Sequence, residues 1–153
     1  MRKNLSEREL ESKEMIIQDE RYWLGRSLND PKRDWEIKTE NWVKDYTLSI
    51  NHPHRQIIVD TLKLKPASSL FEIGCGAGAN LKRIIDNFPE MRLTGIDINK
   101  DAIEEAKQFV PEANFTQGSI FDLNYVDQSF DVVLSDAVLI YVDRNRINRV
   151  MNN

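Results

Sequence analysis

The stretch from residue 69 to residue 99 constrains the fold of this 153-residue chain more than any other. It begins with a short apolar run, Leu70–Ile73, which has the composition of a strand and stops at the glycine-rich turn GCGAG. Apolar residues then recur at helical spacing, and a second strand-like run ends at Asp97. A strand, a glycine turn, a helix and a strand in this order predict two parallel strands joined by a right-handed crossover.

The glycine turn predicts a ligand site. Glycine lacks a Cβ, so Gly74, Gly76 and Gly78 can adopt positive φ and let a ligand lie against the backbone. The free N–H groups at the start of the following helix favour an anion. Because both strand ends open onto one crevice, Asp97 would face it about one nucleoside away from the turn. A carboxylate there can accept both hydroxyls of a ribose, so we expect a nucleoside-containing cofactor.

Two cofactors are compatible with this turn. A third alternative is a tight turn that holds no ligand. Gly74, Gly76 and Ala79 fit the dinucleotide pattern G-x-G-x-x-A, and an acidic residue follows at the interval of about 20 residues expected there. Gly78 and Glu72 favour another ligand, because a carboxylate just ahead of the turn would repel a pyrophosphate. The same carboxylate suits a ligand that carries an ammonium and a sulfonium.

The motif E-x-G-x-G-x-G, followed by the acid of GIDIN, resembles that of the class I S-adenosylmethionine-dependent methyltransferases. The resemblance covers about Trp42 to Val150. It implies an α/β fold with a Rossmann-like, doubly wound and mostly parallel sheet of order 3-2-1-4, an N-terminal helical extension and S-adenosylmethionine as cofactor. Four of the seven strands usual in such enzymes are expected, so the domain looks truncated after the fourth. That strand, Phe130–Leu134, would then be an apolar edge through which the chain could self-associate.

The resemblance and the motif together imply a set of site residues. In the family the turn after the third strand lines the adenine, so Ile98 and Ile120 would lie on either side of the base. Ser119 stands where the family often carries an aspartate. Arg55 is expected to pair with the carboxylate of the bound amino acid moiety, the alternative being a solvated arginine. The expected cofactor-binding residues are Glu72, Gly74, Cys75, Gly76, Gly78, Asp97, Ile98, Ser119, Ile120, Ser135 and Arg55.

Methyl transfer from a sulfonium requires little acid–base catalysis by the protein. The thioether leaves without an acid, and holding nucleophile and methyl in line supplies much of the rate. An oxygen or nitrogen acceptor can also need a general base, for which Asp136 is the catalytic candidate, with His52 and His54 beside it. The two histidines have no cysteine or carboxylate cluster at ligand spacing nearby, so no metal is expected.

The rest of the chain predicts a helical arm or cap over residues 1–50 and a methyltransferase domain, incomplete at its carboxyl end, over 51–153. Residues 1 to about 28 form a charged amphipathic pattern, either a partner-binding segment or an ordinary surface helix. Trp35 and Trp42 could pack on the sheet domain or form a lid over the site. A helix from Pro53 to about Leu64 is expected to turn four side chains inward, namely Ile57, Ile58, Thr61 and Leu62.

Composition and charge limit the classes of function that this chain can have. The chain is 41% hydrophobic and 30% charged with a net charge of −4, as in globular proteins, and the domain shows no basic footprint for nucleic acid. One cysteine, no signal peptide and no run of membrane-spanning length favour a cytoplasmic protein. We therefore expect methyl transfer to an unidentified acceptor of small-molecule, sugar or lipid type. The alternatives are a non-catalytic S-adenosylmethionine binder and an NAD-binding protein.

Overall fold

The computed structural model describes residues 23–26, 42–123, 129–142 and 144–151. Its helices and strands alternate from the first strand onward. In chain order they are α1 (Trp42–Leu48), a 3₁₀ turn (Ser49–Asn51), α2 (Pro53–Leu62), β1 (Ser69–Ile73), α3 (Ala79–Asn87), β2 (Arg92–Asp97), α4 (Lys100–Phe109), β3 (Asn114–Gln117), β4 (Val132–Ser135), a second 3₁₀ turn (Leu139–Tyr141) and α5 (Arg144–Met151).

The four strands form one sheet of order β3-β2-β1-β4, in which every pairing is parallel. The predicted order 3-2-1-4 and the Rossmann-like arrangement are confirmed. All five residues of β1 are buried, since β1 lies between β2 and β4 and helices cover the sheet. The carboxyl ends of the central strands therefore meet at one edge of the sheet, where the turn Gly74–Gly78 follows β1.

The two crossover helices confirm the periodicity argument. In α3 the buried face carries Leu81, Ile84 and Ile85 at helical spacing. Asn99 caps the start of α4, because its Oδ1 accepts the backbone N–H of Ala102 at 3.0 Å. Helices α3 and α4 pack on the same face of the sheet, against Leu70 of β1 and Leu93 of β2. The core on that face is built around Leu70, Leu81, Ile84, Leu93 and Ile103.

We expect that Leu81→Ala lowers the free energy of unfolding by about 2–5 kcal/mol, because the residue is fully buried and its loss leaves a cavity. The matched control is Leu48→Ala, whose side chain is 57% exposed and should cost about 0.5 kcal/mol or less. Urea unfolding followed by circular dichroism measures both values. Equal losses in the two variants would contradict this packing.

Two expectations about element faces and ends were wrong in part. Helix α2 ends at Leu62, and Val59 is its fully buried residue. Of the four side chains expected inward, Leu62 packs against the core and Ile58 is half-buried, whereas Ile57 is 60% exposed and Thr61 is also exposed. The fourth strand starts at Val132 and not at Phe130. Before it, the carboxylate of Asp131 accepts the backbone N–H and hydroxyl of Ser69 at 2.7 and 2.8 Å, and the backbone N–H of Asp131 donates to the carbonyl of Ser69 at 3.1 Å.

Several expectations lie wholly or mostly outside the described residues, among them the amphipathic segment over residues 1 to about 28, of which only 23–26 are described, and the place of Trp35. The division into domains at residue 50 stays a prediction. Strand β4 is an edge of the four described strands and Val133 on it is 60% exposed, but self-association through it also stays a prediction. Within the described ranges no helix is long and apolar enough to cross a membrane.

Candidate active site

A cavity of about 370 Å³ opens at the carboxyl ends of β1, β2 and β4. The glycine turn, the loop after β3, the segment after β4 and the two N-terminal aromatic segments all contribute to its wall. The predicted site residues on this wall are Arg55, Glu72, Gly74, Cys75, Gly76, Asp97, Ile98, Ser119, Ile120 and Asp136, together with His54 and Tyr141. The topology therefore brings most of the predicted set to one place.

The glycine turn is fixed to the end of β2. The backbone N–H groups of Gly74 and Cys75 both donate to the carbonyl of Ile96, at 2.7 and 3.0 Å. Gly74 and Gly76 have φ of +71° and +52°, which side chains rarely adopt. A Cβ on Gly74 would lie 2.1 Å from Val138, whereas one on Gly76 would meet nothing within 4 Å. The turn thus leaves open space against the backbone at Gly76.

Two predicted cofactor residues, Gly78 and Ser135, are not on the cavity wall. Gly78 has φ of +81° and precedes α3, and a Cβ there would lie 3.2 and 3.3 Å from Val110 and Phe115. Its glycine therefore serves the close packing of the turn on α4 and β3. Ser135 ends β4, and its hydroxyl is buried with no hydrogen-bond partner among the residues described.

Asp97 joins the end of β2 to the glycine turn. One carboxylate oxygen accepts the backbone N–H of Gly76 at 2.9 Å, and the other accepts that of Asn99 at 2.8 Å. Burial raises the pKa of Asp97, against the lowering effect of these backbone hydrogen bonds. The carboxylate is thus fixed beside the open space at Gly76, in the position expected of a ribose-binding group.

The end of β1 carries a buried carboxyl group. Glu72 is 1% exposed, and its Oε1 accepts a hydrogen bond from Asn80 Nδ2 at 2.6 Å. Its Oε2 has no hydrogen-bond partner among the described residues. Burial raises the pKa of Glu72 to about 8, although the hydrogen bond from Asn80 and the charge of Arg55 act in the opposite direction. A cation that entered the cavity would find an oxygen here that nothing else uses.

Arg55 links Glu72's neighbour Asn80 to the segment after β4. Its guanidinium donates to Asn80 Oδ1 at 2.8 Å, to Asp136 Oδ2 at 3.0 Å and to the hydroxyl of Ser49 at 3.1 Å. The expected pairing with the carboxylate of a bound amino acid stays a prediction, and the solvated alternative is wrong, since the side chain is only 13% exposed.

The loop after β3 forms the side of the cavity expected to hold the adenine. Ile98 and Ile120 are on the wall, as expected. The hydroxyl of Ser119 accepts the backbone N–H of Phe121 at 3.2 Å, and the N–H of Gly118 donates to the carbonyl of Asp97 at 2.9 Å. These bonds fix the loop next to β2, so Ser119 has a structural role at the position where the family often carries an aspartate.

Aromatic side chains from the N-terminal part close the cavity on the remaining side. The rings of Trp23 and Trp42 pack edge to face at 6.0 Å, and Tyr141 lies 5.5 Å from Trp23. Trp42 is 2% exposed and packs with Ala77 and other buried residues, so the expected packing role is confirmed. Trp42 is also on the cavity wall, so the same side chain packs in the core and forms part of the boundary of the cavity.

Sequence reasoning missed residues of this site, among them Asn80, which bridges Glu72 and Arg55, and Trp23, which belongs to the aromatic wall. Next to the site, Asn99 Nδ2 donates to the carbonyls of Trp23 and Arg26, at 2.7 and 2.9 Å. No local pattern marks these contacts, since Asn99 and Trp23 are 76 residues apart.

The expected cofactor fits the residues that are present. Glu72 Oε2 is a buried acceptor without a partner, suited to the ammonium or sulfonium of S-adenosylmethionine. Asp97 stands beside open space at Gly76, suited to a ribose. In the described part of the chain there is no group of three or more histidine, cysteine or acidic side chains that could hold a metal ion.

Comparison with known proteins agrees with this geometry. Residues 70–153 match the model of a family described as a methyltransferase domain. The trans-aconitate 2-methyltransferase of Rhizobium meliloti is 34% identical over 68 residues, which are 44% of this chain and 26% of that protein. The malonyl-[acyl-carrier protein] O-methyltransferase of Acetivibrio thermocellus is 33% identical over 84 residues, 52% of this chain and 29% of that protein.

Solved structures show the same fold. The plantazolicin methyltransferase BpumL in complex with SAH superposes with a TM-score of 0.63 at 23% identity, over 94% of this chain and 55% of that one. The YcgJ protein from Bacillus subtilis gives a TM-score of 0.56 at 23% identity, over 65% of this chain and 43% of that one. This chain spans between 26% and 41% of the length of the first curated relatives it matches.

Proposed function

Since the chain belongs to the class I S-adenosylmethionine-dependent methyltransferase family, we propose that it transfers the methyl group of S-adenosylmethionine to a small-molecule acceptor. S-adenosylmethionine is the cofactor of this family, and the solved structure of BpumL contains SAH. The proposal concerns the activity and the acceptor. The related proteins named above act on different acceptors, by their names, so no acceptor follows from likeness.

The observation that carries the proposal is the pair of buried carboxyl groups on one cavity wall. Glu72 offers an unused oxygen to a cationic ligand, and Asp97 faces the space at Gly76. A pyrophosphate against the glycine turn would be repelled by Glu72 once that group ionises, whereas a ligand with an ammonium and a sulfonium is attracted to it and favours the ionised form. This charge pattern favours S-adenosylmethionine over NAD.

Each group of the site has a task in binding and orientation. Glu72 holds the positive end of the amino acid moiety, Asp97 accepts the ribose hydroxyls, and Ile98 and Ile120 enclose the base. Bound S-adenosylmethionine supplies a methyl group on a sulfonium, which a nucleophile takes in an in-line displacement. The aromatic wall around Trp42 excludes water from that path, and fixed geometry supplies most of the rate.

Calorimetric titration of the full chain with S-adenosylmethionine, S-adenosylhomocysteine and NAD, in parallel, tests the proposal. We expect micromolar binding of the first two and none of NAD. Turnover of S-adenosylmethionine with an acceptor then separates an enzyme from a non-catalytic binder. Binding of NAD alone would overturn the proposal, and so would a folded chain that binds none of the three.

Binding should also release a proton. Because the pKa of Glu72 is raised to about 8, most molecules carry that proton at pH 7, and a cation beside Oε2 stabilises the ionised form. We expect release approaching one proton per ligand, seen as a difference in binding enthalpy between Tris and phosphate buffers. The release should fall in Glu72→Gln. Equal enthalpies in both buffers would show that no cation approaches Glu72.

Two further points belong to the proposal. We place the protein in a reducing, cytoplasmic compartment, because its single cysteine, Cys75, is buried and forms no disulfide. We also propose that the acceptor is a small molecule and not a nucleic acid, since the methyltransferase part of the chain is acidic.

A further inference from the structure

Two side chains from distant parts of the chain meet on the cavity wall. His54 stands in the first turn of α2, and Asp136 follows β4 directly. The Nε2 atom of His54 lies 3.0 Å from Oδ1 and 3.2 Å from Oδ2 of Asp136. Both residues line the cavity, and the histidine is 49% exposed while the aspartate is 19% exposed. A basic ring is thus held at the mouth of the cofactor cavity by a carboxylate.

Asp136 is held as an ionised acceptor. Partial burial acts to raise its pKa, but hydrogen bonds from His54 and Asn80 and the charges of His54 and Arg55 outweigh it and lower the pKa. An ionised carboxylate only accepts hydrogen bonds, so Nε2 of the neutral ring must carry the hydrogen. The lone pair of the imidazole is therefore on Nδ1.

Two other charged or titratable groups among the described residues act on this pair. Arg55 donates to Asp136 at 3.0 Å, and Glu72 shares Asn80 with Asp136 as a hydrogen-bond partner, while the charge of Asp136 helps to raise the pKa of Glu72. His52 accepts the backbone N–H of His54 through its own Nδ1 at 3.2 Å and thereby caps α2. His52 is not on the cavity wall, so it supplies a natural control.

We propose that His54 is the general base of the methyl transfer, that Asp136 is its positioning residue, and that the acceptor group is a hydroxyl. The inference rests on the proposed function. The acceptor oxygen forms a bond to the methyl carbon as the carbon–sulfur bond breaks, and that electron pair stays on sulfur. The hydroxyl proton moves to Nδ1 of His54, Asp136 stabilises the imidazolium, and the exposed ring returns the proton to solvent.

The acceptor class follows from the presence of the base. A carboxylic acid has lost its proton at neutral pH and attacks the methyl group without help. An ammonium can lose its extra proton to solvent before the attack, whereas a hydroxyl keeps its proton until the new bond forms, so a hydroxyl gains most from a base held on the wall. His54 therefore sets this chain apart from an enzyme whose acceptor is a carboxylate.

NMR of the full chain with ¹⁵N-labelled histidine reports the tautomer of the His54 ring and needs no turnover. The sequence has two histidines, so His52→Asn, which keeps a capping residue, assigns both signals. We expect the ring of His54 as the Nε2–H tautomer at pH 8, and a changed tautomer or titration in Asp136→Asn. A ring with its hydrogen on Nδ1, or one that Asp136→Asn leaves unchanged, would overturn the inference.

Turnover decides the acceptor class. The hydroxyl probes are methyl glucoside and catechol, and the carboxylate probe is trans-aconitate. Ethanolamine is the nitrogen probe, and methylation at its nitrogen is distinguished from methylation at its hydroxyl. The methylated product is measured in each case. We expect methylation of a hydroxyl probe, lost by about 10²–10⁴-fold in His54→Gln and unchanged in His52→Asn. S-adenosylhomocysteine should bind His54→Gln as it binds the wild type.

The remaining outcomes separate the two proposals. Full activity in His54→Gln, turnover of carboxylate or nitrogen probes only, or no turnover of any hydroxyl probe would each overturn the general base and its hydroxyl acceptor. Failure of the wild type to bind S-adenosylhomocysteine would instead overturn the proposed function. A pH dependence of turnover that comes from the general base should disappear in His54→Gln and persist in Glu72→Gln. The second variant is needed because burial raises the pKa of Glu72 to about 8, near neutrality.

Discussion

Replacing Asp97 by alanine should lower the affinity for S-adenosylhomocysteine by about a hundredfold or more. In the ionised form this carboxylate would accept the ribose hydroxyls, and hydrogen bonds to a charged group are each worth about 1.5–3 kcal/mol. The same carboxylate accepts the backbone N–H groups of Gly76 and Asn99, so the variant also loses the link between β2 and the glycine turn. Both effects act against binding.

Calorimetric titration measures the loss, and urea unfolding separates its two causes. The matched control is Asp60→Ala, an exposed acid on α2 away from the cavity, which should bind as the wild type does. A loss of about 1–3 kcal/mol in the unfolding free energy of Asp97→Ala would report the broken turn. Unchanged affinity in a folded Asp97→Ala would refute the ribose role.

Replacing Glu72 by glutamine should stabilise the ligand-free protein at alkaline pH. The folded pKa of about 8 lies above the ordinary glutamate pKa of 4.5, so the unfolded chain loses its proton first as pH rises. Stability from this group is fully present below about pH 4.5 and declines until the folded pKa of about 8 is passed. The difference between the two pKa values corresponds to at most about 5 kcal/mol.

Urea unfolding at pH 5.5, 7 and 8.5 tests this dependence. We expect the unfolding free energy of the wild type to fall by a few kcal/mol over that range and that of Glu72→Gln to fall much less, with Glu104→Gln, exposed on α4, as the control. A dependence of the same sign should persist from Asp97, whose pKa burial also raises. Parallel curves for wild type and Glu72→Gln would contradict the burial of this carboxyl group.

The same carboxyl group links stability to function. In the ligand-free protein Glu72 is a buried acid with an unused oxygen, which costs free energy once it ionises. A cationic ligand removes that cost by pairing with it. Glu72→Gln should therefore be more stable at pH 8.5 and bind S-adenosylmethionine more weakly, as expected of a site kept for function and not for stability.

Local patterns were enough to predict the centre of the fold. Strand β1, the glycine turn, α3 and Asp97 were all expected, because glycine content and helical periodicity depend on neighbours in the sequence. The sheet order came from the family resemblance and is confirmed. The buried face of α2 was assigned only in part, since three adjacent apolar residues, Ile57, Ile58 and Val59, allow more than one buried face.

The polar network of the site was decided by the tertiary structure alone. Arg55 meets Asp136 across 81 positions of sequence, and His54 meets the same aspartate across 82. From the sequence, His54 and Asp136 could each be predicted as a candidate base. Only the structure shows that they are hydrogen-bonded and that Asp136 orients His54. Gly78 was expected to bind the cofactor by its motif, and that role stays a prediction, whereas its contacts with Val110 and Phe115 are visible only in the folded chain.

The sequence by itself thus determined the cofactor-binding unit, because 31 consecutive residues encode its strand, turn, helix and acid through short-range conformational preferences. Only the tertiary structure decided the chemistry at the mouth of the cavity. There α2, the first turn of α3 and the end of β4 converge, and a side chain's charge and hydrogen-bonding role depend on burial and on partners that the chain brings from far away.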